Sequence, residues 1–420
     1  MYQGEVIQTK KYSLNKASIP LRGLVVAHAA HHGASMAIFG RHYIKRLVQE
    51  GVDLHFFASN VPFAGMAPPI DELEGLGGRF HGLMLPERFT PIQAIQNIIQ
   101  MAILLRRYRV QVLHTRLSIM GGIGRIAGKL ARVPVIIHHQ DDLYCRDTRL
   151  SPLMKWVWAF IETQLSKLAD KSLFVSKAVL NDALAIGFRE DRCVLVGHDL
   201  HEVFQNAVNE SEGGKEPVLS RLLSQGVPDN AQIVGCVGRL TYHKGIDLLV
   251  AAAEKLAPAF PGWVFVIKGD GQMRESIKNL IRQKGLSAKI FLLTEELPIE
   301  ELPTLYRCFD IFALPTRREG FGMVFAEAMA MGVPVVGPRM APVTEVVPKG
   351  CGILVEPENV GALVSALGEL MVDESLQTKI AEKGKKHALA TWCGNKSAER
   401  VIDVYQESLS RRGGTFNNSL

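Results

Sequence analysis

Short apolar runs that read as strands alternate with longer stretches of helical period twice along this chain, from Leu21 to Val196 and again from Gln232 to Val355. That alternation constrains the fold more than any other feature. Strand, helical crossover and parallel strand form a right-handed unit, and a series of such units builds a doubly wound parallel sheet with helices on both faces. The first series predicts strands at 21–27, 53–58, 79–85, 111–115, 134–138, 171–175 and 192–196. Helices are predicted from Met36 to Gly51 and at 91–107, 119–131, 152–168 and 177–186. The second series predicts strands at 232–237, 264–268, 290–293, 311–314, 333–337 and 352–355. Its helices fall at 245–256, 273–284, 299–308, 323–331, 360–372 and 375–390, with a last one at 395–410. Between them, at 205–230, the composition turns to Asn, Glu, Ser, Gly and Pro, which marks a linker and domain boundary.

Length agrees, since 420 residues exceed one ordinary core and suit two domains of about 200 residues each. A hydrophobic share of 47% with 21% charged residues is that of a folded globular chain. No apolar run reaches the roughly 20 residues that span a bilayer, and the basic leader at 1–19 lacks the pattern of a signal peptide. Six cysteines lie tens of residues apart and never as C-x-x-C, which predicts reduced thiols and a cytoplasmic chain. The formal charge of +6 comes with no nucleic-acid motif, so no nucleic-acid partner is expected. Ordinary surface charge, phosphate-bearing substrates and contact with an anionic membrane all remain open.

The chemistry concentrates in Ile311–Val336. A buried strand stops at Pro315, a loop passes Glu319, Gly320, Phe321 and Gly322, and a helix of small and apolar residues runs to Met331 before Gly332 and Pro334. A helix opening after glycines presents N–H groups and a positive dipole end to an anion such as phosphate. Glu319 precedes that site and Glu327 follows it, which suits a ligand carrying phosphate and hydroxyls. Earlier, Gly238-Arg239-Leu240 leads to Lys244-Gly245 at the end of the first strand of the second series. Arg and Lys five apart there can converge on one pyrophosphate, the first as a planar fork and the second as a point charge. Gly269-Asp270-Gly271 is a weaker strand-end signal of the same kind.

Glu319-Gly-Phe-Gly with Glu327, in that setting, resembles the E-x7-E signature of the retaining GT-B glycosyltransferases of family four, also described as glycosyl transferases group 1. Gly238-Arg239-Leu240 with Lys244-Gly245 resembles the family's diphosphate motif. The resemblance is strong over about 230–360 and looser over 20–205. It implies two Rossmann-like doubly wound domains facing a central cleft: acceptor domain 20–204, linker 205–230, donor domain 231–394, and a segment 395–420 whose helix crosses back before a short tail. It implies transfer of a sugar from a nucleotide-sugar, taken as a UDP-sugar, to a saccharide or lipid-linked acceptor in cell-surface polysaccharide or glycolipid synthesis. Donor-binding roles then fall to Gly238, Arg239, Lys244, Gly269, Gly271, Glu319, Gly320, Phe321, Gly322 and Glu327. Arg239, Lys244 and Glu319 also carry the catalytic roles, and no cofactor or metal is expected. Residues Phe291–Glu296 fall where the family cradles the base, without naming it. A sugar-nucleotide epimerase and a non-catalytic nucleotide-sugar binding protein are the alternatives.

The chain also departs from the family pattern. Only Gly33 remains of a Gly-Gly pair in the first cleft loop. The usual histidine beyond Pro134 falls on Gln140, next to His138 and His139, and His139 is taken as the catalytic-side residue. The family's Asn-Gly-Val-Asp segment is Gly197-His198-Asp199-Leu200 here, and its Gly-Gly-x-x-Glu loop is Ala341-Pro-Val-Thr-Glu345. Trp156, Trp158 and Phe160 are read as core, with a peripheral foot on the inner face of the membrane as the alternative.

Overall fold

The computed structural model describes residues 20–61, 67–85, 90–116, 118–208 and 216–412. The leader at 1–19 and the last residues of the tail lie outside them. The first sheet holds β1 (Val25–Ala29), β2 (Asp53–Ser59), β3 (Gly78–Leu83), β4 (Val112–Arg116), β5 (Val135–Gln140), β6 (Lys171–Phe174) and β7 (Cys193–Leu195). The connecting helices are α1 (Ala34–Phe39), α2 (Arg41–Gln49), α3 (Ile70–Gly75), α4 (Pro91–Arg107), α5 (Ser118–Ala131), α6 (Pro152–Ser166) and α7 (Lys177–Ala185). After α8 (Glu202–Ala207) and α9 (Glu216–Ser224), the second sheet takes β8 (Gln232–Val237), β9 (Trp263–Lys268), β10 (Ile290–Leu293), β11 (Ile311–Ala313), β12 (Val335–Pro338) and β13 (Ile353–Val355). Its helices are α10 (Ile246–Leu256), α11 (Arg274–Gln283), α12 (Leu302–Arg307), α13 (Met323–Ala330), α14 (Val343–Val346), α15 (Val360–Val372), α16 (Glu374–Trp392) and α17 (Lys396–Ser410).

Both sheets are parallel, in the orders β3-β2-β1-β4-β5-β6-β7 and β10-β9-β8-β11-β12-β13. Each reverses direction beside its first strand, between β1 and β4 and between β8 and β11. Ligands of such sheets bind at the carboxyl ends of the strands at that switch point. The second core is continuous from Leu200 to Trp392, whereas the first sheet has a core on each face and a smaller cluster around Phe174 and Val179. Helix α17 belongs to the first sheet: Val401, Tyr405 and Leu409 pack with Ile44, Val112 and Ile137, and the Tyr405 hydroxyl meets His114 Nδ1 at 2.7 Å.

Local chemistry accounts for most element ends. Helix α4 opens on a capping box, in which Thr90 accepts from Gln93 N–H and the Gln93 side chain accepts from Thr90 N–H, with Pro91 at the first helical position. The structure differs from the sequence reading in several places, and the short helices α3, α8 and α14 were not expected. A turn at Arg22–Gly23 delays β1 to Val25, and the helix expected from Met36 to Gly51 breaks in two at Gly40. The stretch 205–230 carries helix α9, because Val218 and Leu222, four apart, bury one face in the second core. The core reading of Trp156 and Phe160 is also corrected. Glu162 and Ser166 mark the buried side of α6, whereas Trp156 is 66% exposed and Phe160 54%. Trp158 is half-buried against Tyr144.

Candidate active site

The carboxyl ends of β8, β9 and β11 bring the second-domain motifs together. Gly238 N–H donates to Lys268 O at 3.0 Å and Leu240 N–H to Asp270 O at 2.9 Å, so the Gly269–Gly271 turn lies backbone to backbone on the Gly238–Leu240 loop. Lys244 then reaches across to Glu319, its Nζ 2.5 Å from Oε1, with both side chains largely buried. Arg239 stays exposed at the rim, with no ion pair among the described residues. The loop before Glu319 is pinned by two neighbouring arginines that point opposite ways. Arg317 turns back into its own domain, 2.7 Å from Asp247 and over the Tyr242 ring. Arg318 crosses to the first domain, where it donates to Asp142 Oδ2 and Leu143 O at 2.6 Å each.

Gly322 then starts α13 with φ 98°, a left-handed conformation that a side chain resists. One turn in, Glu327 accepts from the Tyr306 hydroxyl at 2.7 Å. Burial pushes the Glu327 carboxyl up to about 7, against the opposing pull of the Tyr306 hydrogen bond and of Lys244. Tyr306 is thus a positioning residue for Glu327. It lies on α12, and nothing in its sequence spacing pairs the two. A recess opens beside these loops, lined by Lys268, Leu293, Thr294 and Glu295 with Arg221 of α9 and Gln225 just beyond that helix. It is where the base cradle was expected, and α9 was not foreseen as part of its wall.

The first domain closes the other side. Arg146 donates to Asp142 Oδ1 at 2.9 Å and to Glu319 O at 3.2 Å. Ser176 caps α7 and also donates to Gly320 O at 2.8 Å. Glu345, in the loop that departs from the family pattern, reaches over to the N-terminus of α7 and accepts from Lys177 and Ala178 N–H at 2.9 and 2.7 Å. A carboxylate at a helix N-terminus is favoured by the dipole and by N–H groups that lack helical partners. Both contacts tie the domains together around Glu319–Gly320.

The three strand-end candidates separate. Strand alternation turns His138 and His139 to opposite faces of β5. His138 is held by Thr115 Oγ1 at 2.9 Å and Gln140 Oε1 at 2.7 Å. His139 lies inside a ring stack between His114 (5.5 Å) and His198 (6.2 Å), and neither of its buried ring nitrogens has a hydrogen-bond partner. Burial, with the nearby Arg116 guanidinium, holds it neutral well below the usual range. Arg116 itself is locked in a bidentate pair with Asp141 at 2.6 and 2.7 Å. His198 tops the stack and meets the Phe321 ring edge-on at 5.3 Å. Of the stacked imidazoles, His198 is therefore the one that reaches the Glu319 loop, and only its departure from the Asn-Gly-Val-Asp pattern could have flagged it. Gly33 packs under Pro69 and Leu73 within the first domain. Among the described residues, no group of three or more His, Cys, Asp and Glu side chains is placed to hold a metal ion.

Residues 224–387 match the family model for glycosyl transferases group 1, and residues 36–198 that for a glycosyl transferase 4-like domain. The chain belongs to the family-four glycosyltransferases. A D-inositol 3-phosphate glycosyltransferase of Corynebacterium urealyticum is 32% identical over 189 residues, 43% of this chain and 44% of that protein. A GDP-mannose-dependent alpha-(1-6)-phosphatidylinositol monomannoside mannosyltransferase of Mycolicibacterium smegmatis is 33% identical over 180 residues, 41% of this chain and 47% of that protein. The chain thus spans about half the length of these curated relatives that it matches. The crystal structure of Anabaena HepE with UDP and glucose superposes with a TM-score of 0.74 at 17% identity, covering 92% of this chain and 100% of that one. At that identity the likeness speaks for the fold, which is GT-B.

Proposed function

We propose that this glycosyltransferase is a retaining hexosyltransferase that moves a sugar from a nucleotide-sugar to a saccharide or lipid-linked acceptor in cell-surface polysaccharide or glycolipid synthesis. One observation carries the reading: Lys244 and Glu319 meet just before the first turn of α13, with Arg239 exposed on the Lys244 loop. Cations and helix N–H groups there suit a diphosphate, and the carboxylates suit hydroxyls. Glu327 accepts from the donor ribose and Glu319 from the transferred sugar. Arg239 and Lys244 stabilise charge on the departing nucleoside diphosphate, and such electrostatic stabilisation is usually the largest contribution to catalysis of this kind. The diphosphate charge is met by side chains and N–H groups, so the reading assigns no metal or cofactor. Departure and attack share one face, and no side chain serves as nucleophile.

The Mycolicibacterium relative is named for GDP-mannose, whereas HepE was solved with UDP. A UDP-sugar is the donor we propose, and a thermal-shift panel of nucleotide-sugars discriminates the bases. Both relatives' names describe inositol-containing acceptors, one of them a lipid, which supports a lipid-linked acceptor. Cys145 and Cys393, half-buried and outside any disulfide among the described residues, suit the reducing cytoplasm. The direct test is nucleotide-sugar-dependent transfer, or slow donor hydrolysis, with Lys244→Ala and Glu327→Ala. Both variants should lose about 10²–10³ in rate. Wild-type rates in both sink the assignment.

A further inference from the structure

Helix α4 presents a stripe of isoleucines to solvent. Ile92, Ile95, Ile99 and Ile103 follow one another at three- and four-residue steps, and each keeps more than half its surface exposed. The opposite side, through Asn97, Met101 and Leu105, is buried. Helix α6 repeats the pattern: Leu153, Trp156 and Phe160 are all more than half exposed on one side, with the two aromatic rings stacked. The strand order brings the two stripes onto the same side of the molecule. From β3 through β6 every crossover advances in one direction across the sheet, so α4, α5 and α6 share a face, and α5 packs between the other two. Two apolar ridges flanking a third helix make a surface far more apolar than solvent-exposed helices require.

Charge says what covers it. Between Thr90 and Gln140 the sequence has no Asp or Glu. It has Arg106, Arg107, Arg109, Lys129 and Arg132, all exposed at the carboxyl ends of α4 and α5, where Arg106 also meets Leu130 O. Lys155 stands beside Trp156 on α6, and the α6 acid, Glu162, is turned inward. An apolar stripe with cations and without anions is the composition that lies in the interface of an anionic bilayer, with Ile, Trp and Phe in the headgroup boundary and Arg and Lys at the phosphates. A second copy of the chain would meet the same unbalanced positive charge in a symmetric pair.

We propose that the α4–α6 face docks on an anionic lipid surface. The amino ends of both helices follow the carboxyl ends of β3 and β5, so they stand at the rim of the cleft. A bilayer along this face would hold a lipid-linked acceptor at the cleft mouth. That last step rests on the acceptor reading above, but docking does not.

The test is co-sedimentation of the full-length chain with vesicles of phosphatidylcholine alone and of phosphatidylcholine with phosphatidylglycerol. Wild type should pellet with the anionic vesicles, stay in solution with the neutral ones, and be released by salt. The exposed pairs Ile95→Gln with Ile99→Gln, and Trp156→Gln with Phe160→Gln, should each lower partitioning about tenfold or more at an unchanged melting temperature and donor-hydrolysis rate. Wild type that stays in solution with both vesicles overturns the proposal, as do double variants that pellet like wild type. So does a wild-type dimer that either double variant dissolves, which would make the face a self-association surface. A chain that pellets as expected yet transfers no sugar supports docking and tells against the transferase reading alone.

Discussion

Lys244 Nζ lies 2.5 Å from Glu319 Oε1, so the cation assigned to the donor phosphates is already engaged by the carboxylate assigned to its sugar. A bound diphosphate must compete with that carboxylate for Lys244. Glu319→Gln removes the competitor and keeps the shape. Binding of free UDP should tighten about tenfold or more, since one charge-assisted contact is worth roughly 1.5 kcal/mol or more. Sugar transfer should fall at the same time. Calorimetric titration with UDP beside a transfer assay separates the two effects. Weaker UDP binding would show instead that Glu319 aims Lys244.

Glu327 should give donor binding a pH dependence. Burial raises its carboxyl to about 7, so it is protonated below that pH in the folded chain and ionised above it. Ribose hydroxyls donate best to the ionised form, so affinity for nucleoside diphosphate should rise through pH 7. Stability runs the other way. A raised carboxyl favours the folded state below pH 4.5, and that contribution, on the order of 3 kcal/mol, is lost between 4.5 and 7. Glu327→Gln should flatten both profiles. A variant whose binding keeps the wild-type pH profile would assign the titration to another group.

What could be read from the sequence was local. Strand β8 falls at 232–237 and α4 at 91–107 as expected, because an apolar run bounded by turns and a Thr90-Pro91 cap are written in neighbouring residues. The same holds for the donor loops, whose glycines and cations stand at strand ends in the chain itself. The closing contacts were not legible. Arg318 and Asp142 are 176 positions apart, and Glu345 and Ala178 are 167 apart. No local period names such partners. Trp156 and Phe160 show a further limit: their four-residue spacing places them on one side of a helix, but whether another element covers that side depends on the rest of the fold.

Gly320 should control domain closure. A Cβ built there would stand 2.1 Å from Asp141 O, across the interface between the domains. Backbone meets backbone at this point, so no side chain can yield, and Gly320→Ala must hold the domains apart. We expect about a 10²-fold or greater loss in transfer, by displacement of reacting groups on the order of 1 Å. The melting temperature should hardly change, because neither core is touched. Solution scattering should show a larger radius of gyration. A variant with both native compactness and native activity would show that the loop relaxes without opening the cleft.

The stack of His28, His114, His139 and His198 should make the first domain labile to acid. Burial keeps all four neutral, lowering His28 to about 3 and His198 to about 4, with His114 and His139 also well below their usual range. The unfolded chain takes up these protons near pH 6.5. A depressed histidine contributes stability that is complete above 6.5 and is lost as pH falls toward its folded value. Each buried ring therefore costs about 1.4 kcal/mol per pH unit below 6.5. Glu327 opposes this between 4.5 and 7, but it is one group against four. Urea midpoints should thus fall steeply from pH 6.5 to 5.5, and His139→Gln should reduce the slope by about one proton. Equal midpoints at pH 7 and 5.5 would mean that water reaches the stack and that the rings titrate normally.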